Sequence, residues 1–381
     1  MRAITLLQPQ KLVFGVGGFS RFVEDTVAAS HKRIWILVAQ PLLDTLDGGL
    51  QEMKSAGLEV EVAVYDAGEP TFSHYEDFLK QVKDFGADTI VGIGGGSVLD
   101  LAKLLAAMQD STGQLSDFVG INLLESRNTH MVCIPTTAGT GSEVSPNAIL
   151  LDEATLEKKG IISPFLVPDA TYIDPALTVG LPPKITAETG IDALSHCIEA
   201  YTNKFSHPLV DDYALRGIAL IGQNLHRAFE VPEDMDARTA VALGSMYGGL
   251  CLGPVNTAAV HALSYPLGGK YHVPHGLANA VLLPEVMAYN LSSNIQKHEQ
   301  IALAMGAEQG NSPEETASNG VQKVKELVKR CDIPQDLTTL GVQQEDVPEL
   351  TALAMKVTRL LKNNPREVTF ADAEEIYGRL F

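Results

Sequence analysis

Four short apolar runs, interleaved with helical stretches, constrain the fold of this chain more than any other feature. Residues 33–39, Arg-Ile-Trp-Ile-Leu-Val-Ala, read as a short buried strand. Residues 43–56 read as a helix that Gly57 ends. Residues 60–65 are strand-like, 75–85 helical with Gly86 at the end, and 89–93 and 131–134 are two further apolar strands. Strands alternating with helices imply a parallel sheet with helices on both faces. From about residue 182 onward strand signals nearly vanish. Residues 185–202, 211–225, 236–252, 312–331 and 348–362 read as helices, with Ser312 as an N-cap and Pro313 at the first helical position. An α/β domain over 1–182 and an all-α domain over 183–381 follow, packed closely with a cleft between them.

The chain has 381 residues, too many for one comfortable core. Its net charge of −19 repels phosphate backbones, so no nucleic-acid partner is expected. No apolar run approaches the roughly 18 residues of a membrane span, so no membrane association is expected. Cys133, Cys197, Cys251 and Cys331 form no CxxC pair and suggest no disulfide framework. The start, Met1–Arg2–Ala3–Ile4, lacks a long apolar signal region. A reducing, cytoplasmic location is expected.

The third strand runs into Gly92-Ile-Gly-Gly-Gly-Ser97, and a helix over 98–108 follows. Glycines there let a backbone approach a phosphate, and the N–H groups of a helix N-terminus face the anion. A tight strand–helix turn would use the same residues. The spacing is not GxGxxG, which makes this a variant of the usual dinucleotide site. The fourth strand runs into Pro135-Thr-Thr-Ala-Gly-Thr-Gly-Ser-Glu143. Its density of hydroxyls suits bonding to ribose, phosphate or carboxamide, although a solvated surface loop has a similar composition. Two such loops after strands argue together for a bound dinucleotide.

Asp192 and His196 are four apart in a helical stretch and project from one face. A carboxylate and an imidazole so placed can share one metal ion, or simply a hydrogen bond. His261 has small and apolar neighbours, and His275 lies at a turn into a helix, with His272 as its competitor three residues earlier. One Asp and three His suit Zn²⁺ or Fe²⁺ better than Mg²⁺ or Ca²⁺. His31, His74, His130, His207, His226 and His298 read as surface residues in polar contexts.

These motifs, taken in order, resemble the iron-containing (group III) alcohol dehydrogenases along essentially the whole chain. The resemblance rests on Phe14–Gly15–Val16–Gly17, on Gly94 to Lys103, and on Pro135 to Glu143. It continues through Thr189 to His196, His261, Pro274–His275–Gly276 and Asn364–Pro365–Arg366. It implies a dehydroquinate synthase-like fold, with an N-terminal Rossmann-like domain and a helical C-terminal domain. It implies Asp192, His196, His261 and His275 as metal ligands. Glycerol-dehydrogenase-like relatives lack the histidine matching His196, which favours Fe²⁺, with Zn²⁺ as the alternative. It further implies that Gly95, Gly96 and Ser97 hold a pyrophosphate, with Asp100 in the same motif. Thr136, Thr137, Thr140, Ser142, Asn147 and Lys158 are implied around the rest of the cofactor.

Two departures from the family pattern stand out. Tyr265 takes the place of a second histidine four after His261, and a phenol with a pKa of about 10 is a poor proton shuttle at neutral pH. His272 is the substitute. Gln40 ends the 34–39 strand where NAD-preferring relatives often carry Asp, so NADP(H) stays open beside NAD(H). The implied activity is metal-dependent hydride transfer between a small alcohol or aldehyde and NAD(P), in a homo-oligomer, a dimer by preference. The alternatives are a metal-independent maleylacetate-reductase-like enzyme, a non-redox dehydroquinate-synthase-like lyase and a metal-dependent hydrolase. Leu252, Tyr265 and His272 are the pocket candidates, while Gly248, Gly249 and Pro254 are expected to shape helices.

Overall fold

The computed structural model describes residues 2–155 and 157–381. They divide into two units, one made of Leu7–Thr137 with Ser142–Thr178, the other of Val179–Phe381 with residues 2–6 and Ala138–Gly141.

The first unit runs β1 (Lys11–Phe14), α1 (Gly18–Ala28), β2 (Arg33–Ala39), α2 (Leu43–Ser55), β3 (Glu59–Tyr65), α3 (Phe72–Phe85), β4 (Thr89–Gly94) and α4 (Gly96–Met108). It continues with β5 (Gly120–Ile121), β6 (His130–Pro135), β7 (Asn147–Asp152), β8 (Glu157–Ile162) and β9 (Ala170–Ile173). Six strands form one parallel sheet in the order β1-β9-β6-β4-β2-β3. The apolar run of β2 reflects burial on both faces. Ile34, Ile36 and Val38 pack with Phe22 and Val23 of α1 and Leu46, Leu50 and Met53 of α2. Trp35 and Leu37 alternate with them and pack with Tyr75 and Val82 of α3 and Leu101 and Leu105 of α4. Each large side chain so buried stabilises the unit by roughly 1.5–3 kcal/mol before chain entropy is charged against it.

The helices predicted at 43–56, 75–85 and 98–108 are present, with the second starting three residues earlier at a Thr71 capping box. β1, β9 and the small sheet β5-β8-β7, whose β7 and β8 pair antiparallel, are absent from the strands expected above. β8 reads Glu-Lys-Lys-Gly-Ile-Ile, with no alternation to mark it as a strand. β1 and β9 have only four residues each.

Among the described residues the second unit holds helices and no strand: α5 (Pro183–Thr202), α6 (Pro208–Glu230), α7 (Met235–Leu252), α8 (Ala259–Tyr271), α9 (His275–Asn290), α10 (Ile295–Ala304), α11 (Pro313–Arg330), α12 (Val347–Ala354), α13 (Thr358–Leu361) and α14 (Phe370–Gly378). Ser312 caps α11 by accepting from Glu315 N, with Pro313 at the first helical position. The single helix expected at 348–362 is two pieces, α12 and α13, because the chain leaves helical geometry at Val357 (φ −80°, ψ 50°). One large core joins α5 through α9 with α11, α12 and α14. No helix among the described residues is long and apolar enough to cross a membrane.

Two of the histidines read as surface residues are buried. His298 is 1% exposed, and its Nδ1 lies 3.0 Å from Asn294 O. His207 caps α6, its Nδ1 accepting from Leu209 N. Each sits in a polar sequence but on the inward side of its helix start, which composition does not reveal.

Candidate active site

The C-terminal ends of three neighbouring strands bring one group of predicted residues together. Val38 of β2 pairs with Ile93 of β4, and Gly94 of β4 pairs with Pro135 of β6. Gln40, the Gly95–Ser97 turn and the Thr136–Thr137 loop therefore leave the sheet side by side, as ligand-binding loops do in open parallel sheets. Thr136 N donates to Gly94 O (3.0 Å) and ties the two loops at their roots. A Cβ on Gly95 would come within 3.3 Å of Thr137 Cγ2, so only glycine lets the loops touch there without displacement. Gly92 and Gly94 have a packing role, since a Cβ on either would lie 2.7–2.8 Å from Ala102 or Val98 of α4.

The N-cap of α4 is Gly95, without a side-chain cap, and Gly95, Gly96 and Ser97 are half-buried. The uncapped N–H groups of the first turn could meet a phosphate. Ser97 Oγ gives its one proton to Gly68 O (3.0 Å), so in this structure the backbone rather than this hydroxyl offers the donors. Asp100 lies one turn along α4 with both carboxylate oxygens engaged, one accepting from Ser142 Oγ and the other from Ile149 N (2.8 Å). It holds the loop. Lys103 does likewise: its fully buried Nζ donates to Ser142 O (2.9 Å), Ser142 Oγ (3.1 Å), Ser145 O (3.0 Å) and Asn147 O. The hydroxyl loop is thus mostly buried and bolted to α4, not a solvated surface loop. Glu143, buried in it, is pushed up to about 7 by burial. Asn147 leaves its buried amide oxygen without a hydrogen-bond partner among the described residues. Lys158 is 4% exposed at its side chain and pairs with Glu69 (2.5 Å), while Gln40 is exposed.

The second group lies in the helical unit. Helix α5 is buried almost all round, yet Glu188, Asp192, His196 and Glu199 recur along it at intervals of four, four and three. That spacing makes one polar stripe on a buried helix. Small residues let its neighbours close in. A Cβ on Gly248 of α7 would sit 3.2 Å from His196 Cβ, and one on Gly276 of α9 would sit 2.6 Å from Glu188 O. Gly139 and Gly141 of the hydroxyl loop pack on the same helices. Gly141 combines φ +63° with a hypothetical Cβ only 2.3 Å from Gly249 Cα, so no other residue fits.

Asp192 Oδ1 is the focus of the stripe. His261 Nε2 lies 3.6 Å away, His196 Nε2 3.7 Å and His275 Nε2 3.8 Å. Ligand atoms of Asp192, His261 and His275 all fall within 4.8 Å of one another. The His196 and His261 rings stack at 4.8 Å. Asp192, His196 and His261 are at most 5% exposed at their side chains and His275 is 32% exposed, so the cluster opens on the His275 side. Burial alone would raise the Asp192 carboxyl, but the imidazoles of His196, His275 and His261 outweigh it and hold it well below the usual carboxylate range. Burial pushes His196 down to about 4. Burial acts the same way on His261, but Glu199 and Asp192 outweigh it and push it up to about 9. Tyr265 is half-buried with its ring centroid 6.2 Å from that of His275, whereas His272 is exposed at the left-handed end of α8 (φ 55°).

Two further side chains belong to this cluster. Glu199 Oε2 lies 2.5 Å from His261 Nδ1, and Asn279 Nδ2 lies 2.7 Å from Asp192 Oδ1. Glu199 was detectable as the next position in the Asp192–His196 stripe. Asn279, one turn after His275, carried no such signal.

The Iron-containing alcohol dehydrogenase family matches residues 9–175, and its C-terminal counterpart, the Fe-containing alcohol dehydrogenase family, C-terminal, matches residues 186–381. The chain belongs to the iron-containing alcohol dehydrogenase family. It is 35% identical over 374 residues to long-chain-alcohol dehydrogenase 1 of Geobacillus thermodenitrificans, covering 96% of this chain and 94% of the relative. It is 34% identical to 1,3-propanediol dehydrogenase of Citrobacter freundii over 387 residues, covering 100% and 99%. A crystal structure of a 1,3-propanediol oxidoreductase superposes with a TM-score of 0.94 at 33% identity, covering all of both chains. This member of the family is an oxidoreductase of small alcohols, with the two-part fold its sequence implied.

The residues present fit the iron that the family name carries. Bonds of roughly 2.0–2.1 Å to one ion put tetrahedral ligand atoms about 3.4 Å apart, close to the 3.6–3.8 Å between Asp192 and each imidazole. Asp192, His261 and His275 are a donor set for Fe²⁺ or Zn²⁺, and His196, whose Nε2 is 3.7 Å from Asp192 Oδ1, lies beside that group but outside its 4.8 Å mutual reach. Asn279 Nδ2 sits where their lone pairs converge, 3.2 Å from both His261 Nε2 and His275 Nε2, while its own buried Oδ1 has no partner among the described residues. An electropositive occupant is what that point calls for.

Proposed function

We propose that this chain catalyses reversible oxidation of a small alcohol to its aldehyde with NAD(H) or NADP(H), using Fe²⁺ held by Asp192, His196, His261 and His275. The observation that carries this reading is the convergence of the three imidazole Nε2 atoms on Asp192 Oδ1, with one exposed edge at His275. When bound, the ion supplies Lewis acidity toward the substrate oxygen. The nicotinamide supplies or accepts the hydride.

The chain's own residues do the rest. The first-turn N–H groups of α4, at Gly96 and Ser97, would bind the pyrophosphate. Thr136, Thr137, Thr140 and the orphaned Asn147 Oδ1 would orient the ribose and carboxamide. Asp100, Lys103 and Ser142 hold that loop in place rather than touch the cofactor. Tyr265, beside His275, would orient the substrate and hold a proton at its phenolic oxygen. Exposed His272 would pass protons to solvent. Gln40 neither repels a 2′-phosphate nor pairs with it, so both cofactors would be accepted. The four buried free cysteines suit a reducing cytoplasm, and a homodimer is the assembly proposed.

A panel of short aldehydes and diols, assayed with NADH and with NADPH on anaerobically Fe²⁺-loaded protein, tests the reading. Consumption of reduced nicotinamide that chelators abolish is expected. Turnover insensitive to chelators would favour a metal-independent reductase, and no nicotinamide binding at all would remove the proposal.

A further inference from the structure

Glu199 is buried on α5, two turns beyond Asp192, and both of its carboxylate oxygens face donors on α8. Oε1 accepts from Val260 N at 2.7 Å, and Oε2 lies 2.5 Å from His261 Nδ1. A carboxylate is an acceptor only, so the hydrogen between Glu199 and His261 belongs to the imidazole. We propose that Glu199 is a positioning residue for the metal centre, keeping a proton of His261 on Nδ1 so that Nε2, which faces Asp192, is the nitrogen that gives up its proton to bind the ion. The inference rests on the reading of the Asp192 cluster as a metal site.

The geometry demands a carboxylate in particular. Ala258, the N-cap of α8, has no side chain able to cap the helix, so the Val260 N–H depends on Glu199. One side chain thus meets two donors at once, and a glutamine cannot satisfy both, because one end of its amide is itself a donor. If the glutamine amide nitrogen faces His261, Nδ1 has to accept and the ring proton moves to Nε2, where it blocks a cation. If the amide nitrogen faces Val260 instead, two donors collide and the start of α8 is pushed away, taking His261 with it. The second nitrogen of the ring faces the Asp192 cluster, with Asn279 Nδ2 3.2 Å from His261 Nε2. Orienting partners of this kind typically govern metal affinity by roughly 10–100-fold.

The test titrates Zn²⁺ into metal-free wild type, Asp192→Ala, Glu199→Gln and Glu199→Ala by calorimetry, with circular dichroism and thermal melts on each. Both Glu199 variants are expected to bind roughly 10–100-fold more weakly than wild type while keeping their helical content, with turnover recovering as excess metal is added. Should the alanine variant fail to fold, the near-isosteric glutamine variant carries the comparison. Wild-type affinity in a folded Glu199→Gln protein, with only a lowered melting temperature, would overturn the proposal and leave Glu199 as a helix cap. Absence of Zn²⁺ binding in wild type itself would strike the metal-site reading instead.

Discussion

Asn279 Nδ2 lies 2.7 Å from Asp192 Oδ1, closer than any of the three histidines that converge on that carboxylate. In metal-free protein this amide is the hydrogen-bond donor to a buried anion. Replacing it with alanine removes that donor and is expected to cost about 1–3 kcal/mol. Metal would satisfy Asp192 in its place. The melting temperature of Asn279→Ala should therefore fall more in metal-free than in metal-loaded protein, and equal losses in the two forms would deny Asn279 this role.

Lys103 places its cation among the carbonyls of Ser142, Ser145 and Asn147, with Asp100 3.9 Å away. Lys103→Met removes the buried counter-charge of Asp100 and a donor shared by three carbonyls. Breaking a buried pair from one side typically costs about 3–5 kcal/mol. Denaturant unfolding should show that loss, and nicotinamide binding should weaken with it because the same bonds fix the hydroxyl loop. A stable variant with unchanged cofactor affinity would mean that the loop holds itself.

Glu143 gives a pH signature. Its folded pKa, raised to about 7 by burial, exceeds the ordinary 4.5, so the folded chain binds the extra proton between those values. Stability from this group is full below about pH 4.5 and is lost as pH rises toward 7, at about 1.4 kcal/mol for each pH unit between the two values. Glu143→Gln mimics the protonated acid at all pH. It should melt like wild type near pH 4.5 and above wild type at pH 8; parallel curves would contradict the raised pKa.

Gln40 stands exposed where β2 ends. Gln40→Asp would place a like charge against a 2′-phosphate. Juxtaposed like charges cost a few kcal/mol, so kcat/KM with NADPH should fall about 10–100-fold relative to NADH. An unchanged ratio would place the ribose elsewhere.

Much of this architecture was legible from the chain alone, for physical reasons that differ by element. β2 was readable because a strand buried on both faces is apolar throughout, whereas β8, with Lys158 and Lys159 inside it, has no such pattern. Helix α11 announced itself through Ser312 and Pro313. The continuous helix expected over 348–362 was wrong because nothing in its composition marks the break at Val357. At the site, spacing on one helix put Asp192 beside His196, but the approach of α8 and α9 depends on long-range packing, at Gly276 for instance. Asp100 looks like a cofactor contact in the glycine motif, and only the folded chain turns it, together with Lys103, inward to the loop.

The most direct test of the metal centre is metal content and aldehyde reduction measured on the same preparations of wild type and Asp192→Ala, purified and loaded with Fe²⁺ without oxygen. About one ion per wild-type chain is expected, none in the variant, and a loss of turnover on the order of 10³-fold. A variant that holds no metal and still reduces aldehydes at the wild-type rate would contradict a metal-dependent reaction.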